Sequence, residues 1–184
     1  MKSIDDALQP DPYWVSSVCL DKITGEFRPC QFSDFYGALP DLTLDEAVPA
    51  HIRREFDAAC HTFIYAWLSY DLATVGEHYA YAVLEMALRE RLSVSEKPPR
   101  ARDGMKDLLK AAFKRGLLNE KDYEFHAMPD SPPLCHLRDG VVRLRNGLSH
   151  GQIHRFIQGS EMALELCRDV INKLFASSPS SSVL

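Results

Sequence analysis

Hydrophobic residues recur at helical spacing along most of the chain after residue 48. From Ala50 to Arg91 the sequence holds almost no helix breaker, and apolar residues return every three or four positions, which is typical of helices with one buried face. Two stripes result: Phe56, Cys60, Phe63, Ile64 and Trp67, then Val75, Tyr79, Ala82, Val83 and Met86. A single helix of this length would span about 60 Å. We therefore expect a break near Ser69–Asp71 and two antiparallel helices.

Two more helices are predicted by their end signals. A third helix should run from Met105 to Arg115, with Asp103 as its N-cap and Gly116 closing it. A central helix should cover residues 132–150, because Ser131 can cap it and Pro132 suits its first turn.

The last helix should open at Gly159 or Ser160 and end before a disordered serine-rich tail at residues 177–184. Its expected buried face comprises Ala163, Leu164, Cys167, Val170, Ile171, Leu174 and Phe175. The predicted fold is all-α, an antiparallel up-and-down bundle of four to five helices over residues 49–176.

Residues 1–48 differ from the rest and form a predicted N-terminal arm. Two short runs favour strands, YWVSSVCL and EFRPCQF, and the turn between them ends at Gly25. Pro29 lies inside the second run, where it weakens a strand. The sequence is compatible with two structures for this arm, a small β-hairpin or an irregular ribbon that packs along the helices.

Composition limits the functional classes. A formal net charge of −5 over 184 residues gives no global attraction for a polyanion, so any contact with nucleic acid must be local. The five cysteines are odd in number and scattered, and the N-terminus lacks an apolar segment typical of a signal peptide. We expect one unexported, cytoplasmic domain with no membrane contact.

The segment from Leu134 to Arg155 carries the strongest functional signal. Its core stripe is Leu134, Leu137, Val141, Leu144 and Leu148. Off this stripe stand Arg138, Arg143, Arg145, Asn146, Ser149, His150, His154 and Arg155. Gly151 can close the helix and leave His150 at its C-terminal end, where free carbonyls favour an imidazolium.

The run LRNGLSHG, from Leu144 to Gly151, contains Arg145-Asn146 followed by His150. This run resembles the R-x4-6-H signature of HEPN domains, and the paired helices before it are similar to the HEPN core. The resemblance covers Ala50 to Phe175.

Membership of this family would imply a metal-independent endoribonuclease whose site forms where two such motifs meet across a homodimer. Many such members are toxins or phage-defence proteins, with an antitoxin or another partner protein. Other members are inactive modules that bind a nucleotide or a partner. One subclass is controlled by nucleotidylation of a tyrosine two residues after the histidine; Gln152 stands there, so we do not expect this control.

The same residues suit RNA cleavage on chemical grounds. An imidazole titrates near pH ~6.5 and can act as base or acid, so His150 fits proton transfer. Arg145 can hold two phosphate oxygens with its planar fork, and Asn146 can orient either partner. Arg138, Arg143, Ser149, His154 and Arg155 are the expected substrate contacts.

Ordinary structural roles compete with this interpretation. Arg145 and Arg138 could pair with helix acids such as Glu85 or Asp71. Glu85 and Arg89 have the spacing of a surface ion pair, and Glu85 could also position Arg145.

Zinc is the alternative chemistry for this segment. His150 and His154, with Cys135 and His136 nearby, do not make a complete set of zinc ligands. No metal and no cofactor are expected.

Overall fold

Two long helices, α3 (Ala50–Ile64) and α4 (Leu72–Ser93), form the centre of the molecule. A 3₁₀ turn at Tyr65–Trp67 joins them, and Asp71 precedes α4, so the break predicted near Ser69–Asp71 is confirmed. This computed structural model describes residues 2–3, 5–21, 23–37, 42–94, 97–119, 122, 125–126, 133–135, 141, 145–146 and 157–176.

The remaining elements pack around α4 or precede it. Helices α5 (Met105–Lys114) and α6 (Ile157–Phe175) both contact α4. Short helices α1 (Pro12–Val15) and α2 (Phe32–Tyr36) flank an N-terminal hairpin of β1 (Val18–Leu20) and β2 (Phe27–Pro29). A second antiparallel pair is formed by β3 (Phe125–His126) and β4 (Pro133–Cys135). The described part of the chain is therefore mostly helical, with two small sheets.

The predicted apolar stripe of α4 is confirmed for Val83, which is buried, and for Tyr79 and Met86, which pack partly buried against the core. It was wrong for the other two residues. Val75 is 52% exposed, and Ala82 is exposed as well. The buried side chains of α4 are Ala73, Glu77, Ala80, Tyr81, Val83, Leu84, Ala87, Leu88 and Leu92. Because α4 contacts α3 on one side and α6 on another, it has a wide buried surface, which a single stripe does not describe.

The α3 stripe is confirmed for Phe56, Cys60 and Phe63, which are buried. These residues face α4, and the two backbones approach closely at Gly76. A Cβ atom placed on Gly76 would lie 2.9 Å from the Phe63 nitrogen and 3.0 Å from the Ala59 carbonyl oxygen. Only glycine fits this contact without movement of a helix.

Helix α5 begins at the predicted Met105 and ends at Lys114, one residue before the predicted Arg115, but its N-cap residue differs. Gly116 follows it with a φ of 67°, as expected for a residue that closes a helix. Its N-cap is Gly104, and the predicted cap Asp103 instead accepts a hydrogen bond from the Arg100 nitrogen at 2.8 Å. The carboxylate is thus used by the preceding turn, a local competition common for aspartate.

The N-terminal arm contains the β-hairpin, the first of the two open alternatives. Pro29 is tolerated there because it lies opposite Val18 at the end of a two-stranded pair. A disulfide joins Cys19 to Cys30, which was not expected for a cytoplasmic domain, because the cytoplasm keeps thiols reduced. The arm is anchored by Trp14, which is buried and whose indole nitrogen donates to the Ala66 carbonyl at 2.9 Å.

The predicted central helix at residues 132–150 was wrong at its start. Residues Pro133–Cys135 form β4 and pair with β3, so Pro133 begins a strand and not a helix. Helical backbone is described at residues 141, 145 and 146, and Val141 is 1% exposed, as its stripe position predicts. Leu137, Leu144 and Leu148 lie outside the described residues.

Helix α6 begins at Ile157, slightly before the predicted Gly159 or Ser160. Its predicted core face is confirmed, with Phe175 half-buried at the end. The predicted tail lies outside the described residues. Within the described ranges, no helix combines the length and the apolar character needed to cross a membrane.

Candidate functional site

Among the described residues, an open groove runs along one face of α4 and has a volume of about 560 Å³. It is lined by His78, Ala82, Glu85, Met86, Arg89, Glu90, Ser93 and Arg145. All but the last recur at spacings of three and four residues in α4, which places them on one side of the helix. The groove therefore lies on the face that the sequence pattern assigned to the core.

Glu85 joins two arginines at one edge of this groove. Its carboxylate is 2.8 Å from Arg89 Nη2 and 3.6 Å from Arg145 Nη2. The pairing of Glu85 with Arg89 is the predicted i,i+4 pair, and the pairing with Arg145 is the one that the sequence left open. Two guanidinium groups thus share one carboxylate at this edge.

The two arginines have different surroundings. Arg89 also donates to the carbonyl oxygens of Arg100 and Asp103, so it ties α4 to the loop before α5. Arg145 keeps a side-chain exposure of 39% and donates from Nη1 to the Asn146 Oδ1 at 3.3 Å. Arg89 is only slightly less exposed, at 33%, but its bonds to two backbone carbonyls hold it to the loop, whereas the contact of Arg145 with Glu85 is longer, at 3.6 Å.

The opposite edge of the groove is acidic. Glu90 is about half exposed, and its carboxylate lies 4.0 Å from His51 Nε2 in α3. Ser93 donates to the Glu90 carbonyl oxygen at 2.7 Å, which fixes the last turn of α4. At 3.6 residues per turn, Ala82 and Met86 lie between Glu85 and Glu90 around the helix axis, and they give the groove an apolar part.

A buried polar contact lies in α4 next to this surface. Glu77 is 6% exposed, and the hydroxyl of Ser160 in α6 donates to its carboxylate at 2.9 Å. Ser160 is in the first turn of α6, where a carboxylate also interacts favourably with the helix dipole. The contact therefore fixes the start of α6, the first described element after residues 145–146.

Nearby buried groups are held in their neutral forms. Burial raises the pKa of the Cys167 thiol and of the Tyr81 phenol well above their usual ranges. Burial, with a smaller effect of Asp57, raises the pKa of Cys60 to about 12. These thiols are not reactive nucleophiles at neutral pH, since the thiolate is the reactive form.

Only part of the predicted site falls within the described residues. The side chains of Arg145 and Asn146 are joined by a hydrogen bond, and Arg145 lies against Glu85. The other predicted site residues lie outside the described residues: Arg138, Arg143, Ser149, His150, His154 and Arg155. Among the residues that the structure does describe, no three His, Cys, Asp or Glu side chains are grouped to hold a metal ion.

The chain was compared with protein-family models, with curated proteins and with solved structures. None of the three comparisons found a match. The chemistry of the groove must therefore be argued from its own residues.

Sequence reasoning missed several residues of this region. Glu77 could have been found, because it is a lone charge with Ala80 and Tyr81 on the same side of an apolar helix. His78 and Glu90 carried no distinct signal, since charged residues on a helix usually face solvent.

Proposed function

We propose that this chain is a metal-independent endoribonuclease of the HEPN type, acting as a homodimer in the cytoplasm. We further propose a toxin or phage-defence role, with an antitoxin or defence protein as a possible partner. The observation that carries the proposal is the position of Arg145, whose exposed guanidinium lies at the edge of the α4 groove next to Asn146.

The proposed reaction needs two proton transfers and a cation at the phosphate. A base removes the proton from a 2′-hydroxyl, whose oxygen attacks phosphorus and forms a 2′,3′-cyclic phosphate. The P–O5′ bond breaks, and its electron pair leaves with the 5′-oxygen. An acid then donates a proton to this oxygen. His150 supplies the base or the acid, and Arg145 stabilises the charge on the non-bridging oxygens.

A homodimer would supply the missing half of this chemistry. The second copy brings another His150, so that acid and base come from different chains, and another Arg145. The exposed face of α4 supports such an interface, because Val75 is 52% exposed and continues the apolar surface of Ala82 and Met86. Interface centres are depleted of most charged residues but enriched in methionine and arginine.

A second candidate function is an inactive HEPN module that binds a nucleotide or a partner protein. The observation in its favour is Glu85, because a carboxylate 3.6 Å from Arg145 lowers the charge that the arginine offers to a phosphate. In the enzyme, Glu85 instead holds Arg145 in place until RNA binds.

Cleavage of labelled single-stranded RNA in the presence of a chelator tests the proposal. Arg145→Lys should lower the rate by about 10²–10³-fold, because an oriented donor is lost although the charge is kept. His150→Ala should reduce it at least as much. The product should carry a 2′,3′-cyclic phosphate, and a deoxyribose at the cleaved position should block the reaction.

Arg54→Lys is the matched control, because Arg54 is an exposed arginine of α3 with a side-chain exposure of 77%. It should leave the rate unchanged. Equal rates for the parent and both site variants would assign the cleavage to a contaminant. A parent that binds nucleotide but cuts no RNA would support the inactive module.

The dimer is tested separately by light scattering at micromolar concentration. Val75→Arg should halve the mass, whereas Val94→Arg, at an 80% exposed valine just after α4, should not. A monomeric parent would contradict the proposed shared site.

A further inference from the structure

The groove along α4 has opposite charges at its two edges. Glu85 and Glu90 are five residues apart, so at 3.6 residues per turn they point about 140° away from each other around the helix. Glu85 lies on the side of Arg145, at 3.6 Å from it, and Glu90 lies on the side of His51 in α3. The ligand of this groove therefore meets a cationic group at one edge and a carboxylate at the other.

The space between these edges suits a flat, weakly polar group. Ala82 is exposed and Met86 is half-buried, and both line the groove. A methionine sulfur contacts aromatic rings favourably, typically by about 0.3–1.5 kcal/mol. The volume of about 560 Å³ is within the range of small-molecule sites, roughly 300–1,000 Å³.

A nucleotide has a matching order of groups: a phosphate, then a ribose, then a planar base with polar atoms on its far edge. A carboxylate at the far edge accepts hydrogen bonds and cannot donate them when ionised. It consequently favours a base that offers an exocyclic amino group, such as N4 of cytosine. The carbonyl oxygen O4 of uracil at the same position would be repelled.

We propose that the α4 groove binds the nucleotide next to the cleaved phosphate and that Glu90 selects amino-bearing bases, cytosine or adenine, over uracil. This inference rests on the proposed function, because it takes RNA as the ligand of the groove. Arg145 holds the phosphate, Ala82 and Met86 contact the base, and the Glu90 carboxylate accepts the hydrogen bond of its amino group.

Titration calorimetry with single nucleotides tests base selection without any need for cleavage. The probes are 3′-CMP and 3′-UMP. Cytosine carries an amino group at the position where uracil carries the carbonyl oxygen O4. The parent should bind 3′-CMP on the order of tenfold more tightly, as expected for one hydrogen bond to a charged group that is partly open to water. The pair 3′-AMP and 3′-IMP should show the same preference.

Glu90→Gln is the decisive variant, because it keeps the size of the side chain and replaces the carboxylate with an amide that can both donate and accept. The ratio of the two affinities should fall to near one, while binding of 3′-UMP stays similar or improves. Glu90 is about half exposed, so the fold should be retained, as circular dichroism can verify. Glu165→Gln, at an exposed carboxylate of α6, is the matched control and should keep the preference.

The outcomes separate this inference from the proposed function. Equal binding of 3′-CMP and 3′-UMP by the parent, or an unchanged preference in Glu90→Gln, would overturn base selection. So would the absence of binding by either nucleotide. RNA cleavage without base preference would leave the ribonuclease standing without this inference. A 3′-CMP preference without any RNA cleavage would retain base selection in an inactive module.

Discussion

Replacement of Gly76 by alanine should destabilise the protein through the contact between α3 and α4. The added Cβ atom would lie 2.9 Å from the Phe63 nitrogen, 3.0 Å from the Ala59 carbonyl oxygen and 3.1 Å from the Phe63 Cβ atom. Ordinary contacts between carbon atoms are about 3.5–4.0 Å. These three atoms belong to the backbone or sit directly on it, so rotation of a side chain cannot relieve the overlap.

The expected magnitude is the difference between two effects. Extra methyl groups in a well-packed region cost about 1–3 kcal/mol, and this site should lie in the upper part of that range. Alanine regains roughly 1 kcal/mol of helix propensity relative to glycine. We therefore expect Gly76→Ala to lower the free energy of unfolding by about 1–2 kcal/mol.

Urea denaturation followed by circular dichroism measures this change. Gly159→Ala is the control, because Gly159 also lies in a helix but an added Cβ would contact nothing within 4 Å. It should raise the free energy of unfolding by roughly 0.5–1 kcal/mol through propensity alone. A Gly76→Ala protein as stable as the parent would refute the close approach of α3 and α4.

Three further predictions concern stability. Ser160→Ala removes the hydrogen bond to buried Glu77 and should lower the free energy of unfolding by about 1–3 kcal/mol, measured by urea denaturation; an unchanged midpoint would contradict the contact. Reduction of the Cys19–Cys30 disulfide, whose cysteines are 11 residues apart, should lower the free energy of unfolding by about 2–3 kcal/mol when denaturation is compared with and without a thiol reductant. Hydrogen bonds from Arg28 hold the pKa of Asp34 at about 2. Because this pKa is below the unfolded value of ~3.9, the Asp34 carboxylate stabilises the folded protein fully above pH ~4, and this contribution is lost as the pH falls towards 2. In an acid titration, the Asp34→Asn protein should lose less free energy of unfolding in that window than the parent.

The elements that sequence predicted best are those with a local, repeated signal. Helix α6 follows its 3.6-residue period through Val170 and Leu174, and Gly116 ends α5 at the expected position. The hairpin could be predicted only as one of two alternatives, because Pro29 interrupts the sequence pattern of the second strand. The structure accommodates this proline at the end of the two-stranded pair. Asp103 could cap α5 or bond to its own turn, and sequence spacing does not distinguish the two.

Contacts between distant parts of the chain could not be predicted in the same way. The strands β3 and β4 are two and three residues long, too short for a period, and they form because they pair with each other. Arg145 and Glu85 are 60 positions apart, and only packing of the chain onto α4 brings them to 3.6 Å. For this reason the sequence identified Arg145 as a functional candidate but left its partner open.

The position of the groove follows from the way in which α4 is buried. Helix α4 is covered on two sides by α3 and α6, and small side chains such as Ala80 and Ala87 allow both helices to pack closely. In the part of the chain that the structure describes, its third side carries exposed Val75 and Ala82 beside the charges of Glu85 and Arg145. An apolar surface mixed with ion pairs is costly to leave in water, yet it is too polar for an ordinary core. We propose that a second copy of the chain covers Val75, while RNA occupies the groove with its base on Ala82 and Met86 and its phosphate at Arg145.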